Sequence, residues 1–252
     1  MNKTTDIKEI RNYFDVACEV FCMTPDELKK YINISHHDAD MMARDAWIRL
    51  NPRTEEEIIR YYTEDRSFSL FHIRLSWSAN KDTCDPTLFG ILQKYISNVK
   101  NCKILDYGCG SGLCGLSLFN CGCQNVFFAD VPTPLFEIVR HTLSSHIGND
   151  KFLTIQEKYP LKDNYDLIIC ADVFEHVKDP DILLRHLTDH INSNGYLYMT
   201  AFFGASDLAP CHLRENCEKY NPELWKDIIK TCRLEAVYIQ EHAVYDGLYK
   251  KI

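Results

Sequence analysis

The stretch that decides the fold is residues 103–130, KILDYGCGSGLCGLSLFNCGCQNVFFAD. Lys103 to Leu105 reads as a short apolar strand leading to a carboxylate, Asp106. A loop with Gly108, Gly110 and Gly112 follows, then a helix over about Leu113 to Asn120, and a second strand from Asn125 to Ala129 that ends on Asp130. Glycine tolerates positive φ and lets a ligand approach the backbone, while the helix behind it presents unpaired N–H groups. A carboxylate about twenty residues on, at the end of the second strand, is placed to hold two ribose hydroxyls. The unit therefore reads as a nucleoside-binding β-α-β fold. Glycine spacing alone leaves the ligand open, because Gly110 to Gly115 also matches the dinucleotide pattern GxGxxG. Asp106 discriminates: a carboxylate beside the loop repels a pyrophosphate and attracts a cation.

A second stretch, residues 165–180, reads YDLIICADVFEHVKDP. Leu105 to Gly112 resembles the D-x-G-C-G-x-G signature of class I S-adenosylmethionine-dependent methyltransferases. Residues 165–180 resemble the fourth-strand pattern FDxIxxxxxxEHVxDP of their small-molecule branch, which includes the ubiquinone-biosynthesis type. The resemblance covers roughly Asn101 to Phe203 well, the tail to Ile252 loosely and the preceding segment hardly at all. It implies an α/β fold: a Rossmann-like seven-stranded, mostly parallel sheet with helices on both faces, its last strand antiparallel. It implies S-adenosylmethionine as cofactor and S-adenosylhomocysteine as product, held by Asp106, Gly108, Cys109, Gly110, Gly112, Asp130, Val131, Asp172 and Val173. One departure is visible. The family often has an aspartate after the third strand for the adenine amino group, and this chain has Gln156 and Glu157 there.

The 252 residues suffice for one core of about 150 residues or more plus an appended segment. We expect an N-terminal helical cap over 1–98 and the Rossmann-like core over 99–252. Hydrophobic residues at 46% and charged residues at 25% suit a packed globular domain. A net charge of −8 provides no basic face, which argues against nucleic acid and against anionic membranes as partners. No run reaches the roughly 18 apolar residues of a spanning helix and the first residues lack an apolar leader, so a cytoplasmic protein is expected. None of the twelve cysteines stands in a C-x-x-C pair, and Cys109 sits inside the glycine loop, where a bridge would obstruct a ligand. They read as reduced thiols, with no metalloid trap. No metal site is expected either, since His36 and His37 lack a third ligand at a recognisable spacing.

Before the core, the apolar spacing is helical. Thr24-Pro25-Asp26-Glu27 and Thr54-Glu55-Glu56-Glu57 are helix starts, and His36, His37 and Asp38 precede a helix over Met41 to Leu50. The aromatic stretch over 61–77 offers Tyr61, Tyr62, His72, Arg74 and Trp77 as an acceptor-binding wall. The competing reading is that these residues only seat the cap. Further strands are expected over Lys151–Ile155, Asp166–Ala171 and Tyr196–Phe203. A helix from Pro180 to His190 is stopped by Asn194-Gly195, and a terminal hairpin pairs Leu234–Gln240 with Ala243–Lys250.

Methyl transfer from a sulfonium depends mainly on alignment. Where the acceptor is a hydroxyl, a histidine with a near-neutral pKa can take its proton, and His176 and His212 are the candidates. The acceptor is expected to be a small molecule; its identity, the atom methylated and the oligomeric state stay open. Two alternatives stand beside this reading: a cofactor-binding partner subunit without turnover, and a nicotinamide-dependent dehydrogenase, which Asp106 disfavours.

Overall fold

In a computed structural model of the chain the described residues are 13–79, 86–156, 160–204, 211–240 and 245–252; the side chains of His36, 74–79 and Pro86 lie outside that description. The N-terminal region is helical: α1 (Tyr13–Phe21), α2 (Pro25–Asn33), α3 (His36–Leu50), α4 (Glu55–Glu64), α5 (Arg66–Ala79) and α6 (Pro86–Tyr95). Thr24 and Thr54 close capping boxes with Glu27 and Glu57, satisfying N–H groups that an uncapped helix leaves orphaned. Helix α3 begins earlier than the expected Met41 because Ser35 caps it, accepting from the Asp38 N–H at 3.0 Å.

The core follows as β1 (Ile104–Tyr107), α7 (Leu113–Asn120), β2 (Val126–Asp130), α8 (Pro134–Ile147), β3 (Phe152–Thr154), β4 (Tyr165–Ala171), α9 (Pro180–Asp189), β5 (Ile191–Thr200), α10 (Arg214–Lys219), α11 (Pro222–Thr231), β6 (Leu234–Ile239) and β7 (Gly247–Lys251). These strands form a seven-stranded sheet in the order β3-β2-β1-β4-β5-β7-β6. Strand β7 runs antiparallel to both β5 and β6, and the other pairings are parallel. The expected architecture is the observed one. The order reverses between β1 and β4, so the crevice outside their carboxyl ends is where an open α/β sheet takes its ligand.

Alternation along the strands assigns the two faces. Leu105 and Tyr107 join Ile168, Leu197 and Met199 under α9 and α11, where Leu184, Leu187 and Trp225 close the core. Ile104 joins Leu167 and Ile169 on the other face, under α6, α7 and α8 through Leu92, Leu118 and Phe136. The middle of β4, Leu167 to Cys170, is buried throughout, as a central parallel strand must be. Two boundaries differ from expectation. Strand β5 starts at Ile191 rather than Tyr196, because Tyr165 pairs with Ile191 and Leu167 with Tyr196, so that residues 192–195 bulge opposite Asp166. The Asn192 amide ties the bulge to Asp166 at 2.8 Å, and Asn194 takes the positive φ (62°) that the turn needs. Strand β7 starts at Gly247, and the expected Ala243–Val244 portion lies outside the described residues.

The cap is anchored twice. Phe14, Ala17 and Phe21 of α1 and Leu70 and Ile73 of α5 pack with Leu135 and Ile138 of α8. Trp47 of α3 and Ile58 and Tyr61 of α4 pack with Leu213, just before α10. The second contact carries α4 across the carboxyl edge of the sheet.

Candidate active site

The loop between β1 and α7 is strapped to the end of β2: the Gly108 and Cys109 N–H groups donate to the Ala129 carbonyl at 2.8 and 3.1 Å. Its turns need positive φ at Gly108 (67°) and Gly110 (52°). A Cβ on Gly108 would stand 2.4 Å from Val173 Cγ2, whereas one on Gly110 would meet nothing within 4 Å, because Gly110 borders open space. That space is a cavity of about 1070 Å3 running from the glycine loop to the cap.

Asp130 lies on the cavity wall. Its Oδ2 accepts from the Gly110 N–H at 2.6 Å and its Oδ1 from the Val131 N–H at 2.7 Å. A carboxylate offers about four lone-pair directions, so each oxygen keeps one for a ligand hydroxyl. Burial pushes its pKa up to about 6 despite those two bonds. Asp106 sits deeper, 3% exposed, off the cavity wall beneath the loop, where it accepts from the Gly115 N–H at 2.8 Å. Burial above all, with the Asp130 charge, raises it to about 7. Two buried carboxylates whose charges act on each other favour a cation above them.

Gly108, Cys109, Gly110, Val131, Asp172 and Val173 also line the cavity; Gly112 stands behind the loop as the residue that caps α7. Gln156 is on the wall as well, while Glu157 lies outside the described residues.

At the far end the cap meets the loops after β4 and β5. Tyr61, Tyr62 and His72 are on the wall, whereas the side chains of Arg74 and Trp77 fall outside the described residues. Tyr62 packs edge-on against Tyr61 and Phe68, and its Oη lies 2.9 Å from His176 Nδ1. His176 and His212 come together as an edge-to-face pair with centroids 4.9 Å apart. Their segments are stitched to each other: the Leu213 N–H donates to the Glu175 carbonyl at 2.9 Å and Asn216 Nδ2 to the Val177 carbonyl at 2.7 Å. Glu175, 1% exposed, holds the loop by accepting from the Phe202 N–H at 3.1 Å through Oε1, and it also contributes to the cavity wall.

Electrostatics correct one expectation. Burial, then the neighbouring His212 ring, pulls His176 down to about 3 instead of leaving it near neutrality, so it is an uncharged imidazole. Burial lowers His72 to about 4 and also lowers His212. Sequence reasoning passed over Arg44, Phe68 and Cys211, all on the wall. Phe68 belongs to the aromatic stretch and Cys211 precedes His212, so both had a local signal. Arg44, on α3, had none.

The model of the family described as "Methyltransferase domain" matches residues 79–231, more than half of the chain. A ubiquinone biosynthesis O-methyltransferase from Hydrogenovibrio crunogenus is 27% identical over 110 residues, 42% of this chain and 45% of that one. The chain thus spans about half the length of such relatives. Among solved structures, an O-methyltransferase family protein from Burkholderia thailandensis superposes with a TM-score of 0.54 at 13% identity, covering 85% of this chain and 70% of that one. Human N-acetylserotonin methyltransferase, in complex with S-adenosylmethionine, gives 0.50 at 17% identity, covering 89% and 69%. Likeness at that identity speaks for the fold, and the family match carries the rest: the chain belongs to the class I S-adenosylmethionine-dependent methyltransferases.

Proposed function

We propose that the protein transfers the methyl group of S-adenosylmethionine to a small-molecule acceptor. The observation that carries this is one continuous cavity, about 1070 Å3, that joins the glycine loop and Asp130 at one end to Tyr62, His176 and His212 at the other. Pockets for a single drug-sized ligand measure roughly 300–1,000 Å3, and this cavity exceeds that range, which leaves space for an acceptor beside the cofactor. The residues present suit the cofactor: Gly110 opens onto empty space, and Asp130 keeps lone pairs for two ribose hydroxyls. Asp106 and Asp130 supply negative potential for a cationic ligand, and Gln156 takes the position after β3 from which the adenine edge is reached.

The cofactor supplies an activated methyl group whose displacement needs nucleophile, carbon and sulfur in line. What the chain contributes is position and dryness. Asp130 and the loop fix the nucleoside. Tyr61, Tyr62, His72 and Phe68 wall off water, and the neutral imidazoles of His176 and His212 offer lone pairs toward the acceptor's reacting group. The division into a specificity-setting cap, 1–98, and a catalytic core, 99–252, belongs to this reading, with Arg74 and Trp77 as further candidates for the acceptor wall. The acidic charge supports a substrate other than nucleic acid. Among the described residues no helix is long and apolar enough to cross a membrane, which is compatible with action in the cytoplasm.

Calorimetry with S-adenosylhomocysteine and with NAD separates this reading from a dehydrogenase; binding of NAD alone would overturn it. Methyl release from labelled cofactor across an acceptor panel separates an enzyme from a partner subunit without turnover.

A further inference from the structure

We propose that His176, Cys211 and His212 form a binding site for a zinc-class divalent ion at the acceptor end of the cavity. One ligand atom from each residue lies within 4.8 Å of the other two. All three residues line the cavity, so an ion held there keeps an open position facing it.

The second nitrogens and the loops are arranged as such a site requires. His176 Nδ1 lies 3.1 Å from the Cys211 carbonyl. A carbonyl only accepts, so Nδ1 carries the proton, Tyr62 Oη shares it, and Nε2 keeps its lone pair. Anchoring one imidazole N–H on a carbonyl is how metal-ligating histidines are oriented. His212 Nδ1 is buried with no hydrogen-bond partner among the described residues, and a bound ion would satisfy it. Cys211 completes the set with a half-buried thiol. The Leu213 and Asn216 bonds to the 175–177 segment hold the two loops together without help from an ion.

The donor set selects the ion. One thiol and two imidazoles are soft to borderline ligands, suited to zinc or cobalt and poor for magnesium or calcium, which prefer oxygen. With metal–ligand lengths of about 2.0–2.3 Å, tetrahedral ligands stand roughly 3.3–3.8 Å apart. Rotations that bring the three atoms together by about an ångström close the site. Three protein ligands and one open position is the arrangement of catalytic rather than structural zinc. The acceptor's oxygen, nitrogen or sulfur would take that position, in place of the direct imidazole contact. This last step alone rests on the methyl-transfer reading.

The test uses the full chain, stripped with chelator and titrated with zinc and with cobalt in the absence of cofactor and acceptor. The expected result is one ion per chain and, for cobalt, a thiolate-to-metal charge-transfer band. Cys211→Ser should abolish the band. Cys211→Ser and His212→Gln should each weaken zinc binding by more than the roughly 10–100-fold that loss of an outer-shell partner costs. Cys22→Ser, at an exposed cysteine of the cap, should change neither. Lack of stoichiometric binding by the wild-type chain, a cobalt spectrum without the thiolate band, or zinc affinity unchanged in a folded His212→Gln variant would each overturn the site. Because the cobalt spectrum needs no variant, it decides even where Cys211→Ser fails to fold. S-adenosylhomocysteine binding, measured separately, reports on the methyltransferase reading, so the two fail independently.

Discussion

Replacing Asp106 by asparagine should raise the stability of the ligand-free protein in alkaline buffer while weakening the cofactor, and the two effects have one cause. Asp106 is buried, with the Gly115 N–H as its one hydrogen-bond donor among the described residues, and burial raises its pKa from an ordinary 3.8 to about 7. The folded state therefore holds this proton where the unfolded state has lost it. Stability falls as pH rises from the unfolded value through the folded one, and the cost is complete above about pH 7. At about 1.36 kcal/mol per unit, it grows from roughly 2 kcal/mol near pH 5 to roughly 4 kcal/mol near pH 8. Asparagine removes the charge and introduces an amide N–H that needs a partner, a penalty of about 1–3 kcal/mol that does not change with pH. The difference in stability between variant and wild type should thus swing by about 2–3 kcal/mol in favour of the variant between those pH values. Urea unfolding of both proteins at the two pH values reads it. Cofactor affinity should drop as well, most clearly above pH 7 where Asp106 is ionised, because asparagine carries no charge to attract the cationic ligand. A variant equally destabilised at both pH values, with cofactor affinity intact, would refute the reasoning and make Asp106 a structural acceptor for Gly115.

Three further outcomes follow from the same geometry. Asp130→Ala should weaken S-adenosylhomocysteine by about 1.5–3 kcal/mol, the range for hydrogen bonds to a charged group; unchanged calorimetric affinity in a folded variant would remove its ribose role. Gly108→Ala combines a positive φ of 67° with a Cβ 2.4 Å from Val173 Cγ2, so it should lower the melting temperature and cofactor affinity together, whereas Gly110→Ala, strained at φ 52° but open on its side-chain face, should lower the melting temperature less than Gly108→Ala and weaken the cofactor too. Tyr62→Phe removes the hydroxyl 2.9 Å from His176 and should lower acceptor turnover while leaving cofactor affinity within about 0.5 kcal/mol; an equal loss of both would assign Tyr62 to packing alone.

The sequence by itself determined the parts whose chemistry is local. Residues 103–130 encode strand, loop, helix and second carboxylate within one contiguous unit, and the backbone conformations needed there are open to glycine and costly to other residues. The same holds for the capping boxes at Thr24 and Thr54, where donor and acceptor lie three residues apart. Boundaries that depend on a neighbour were less legible: the start of β5 is set by its pairing with Tyr165 and Asp166, which no periodicity within β5 announces. Tertiary structure alone decided that Asp106 lies under the loop while Asp130 lines the cavity. It also brought Tyr62 to His176 across 114 positions of chain and His176 to Cys211 across 35. That convergence depends on α4 crossing the sheet edge and on Leu213 and Asn216 binding the 175–177 backbone. The resulting burial, which holds His176 as a neutral imidazole, is a property of packed neighbours, and no spacing of residues along the chain carries it.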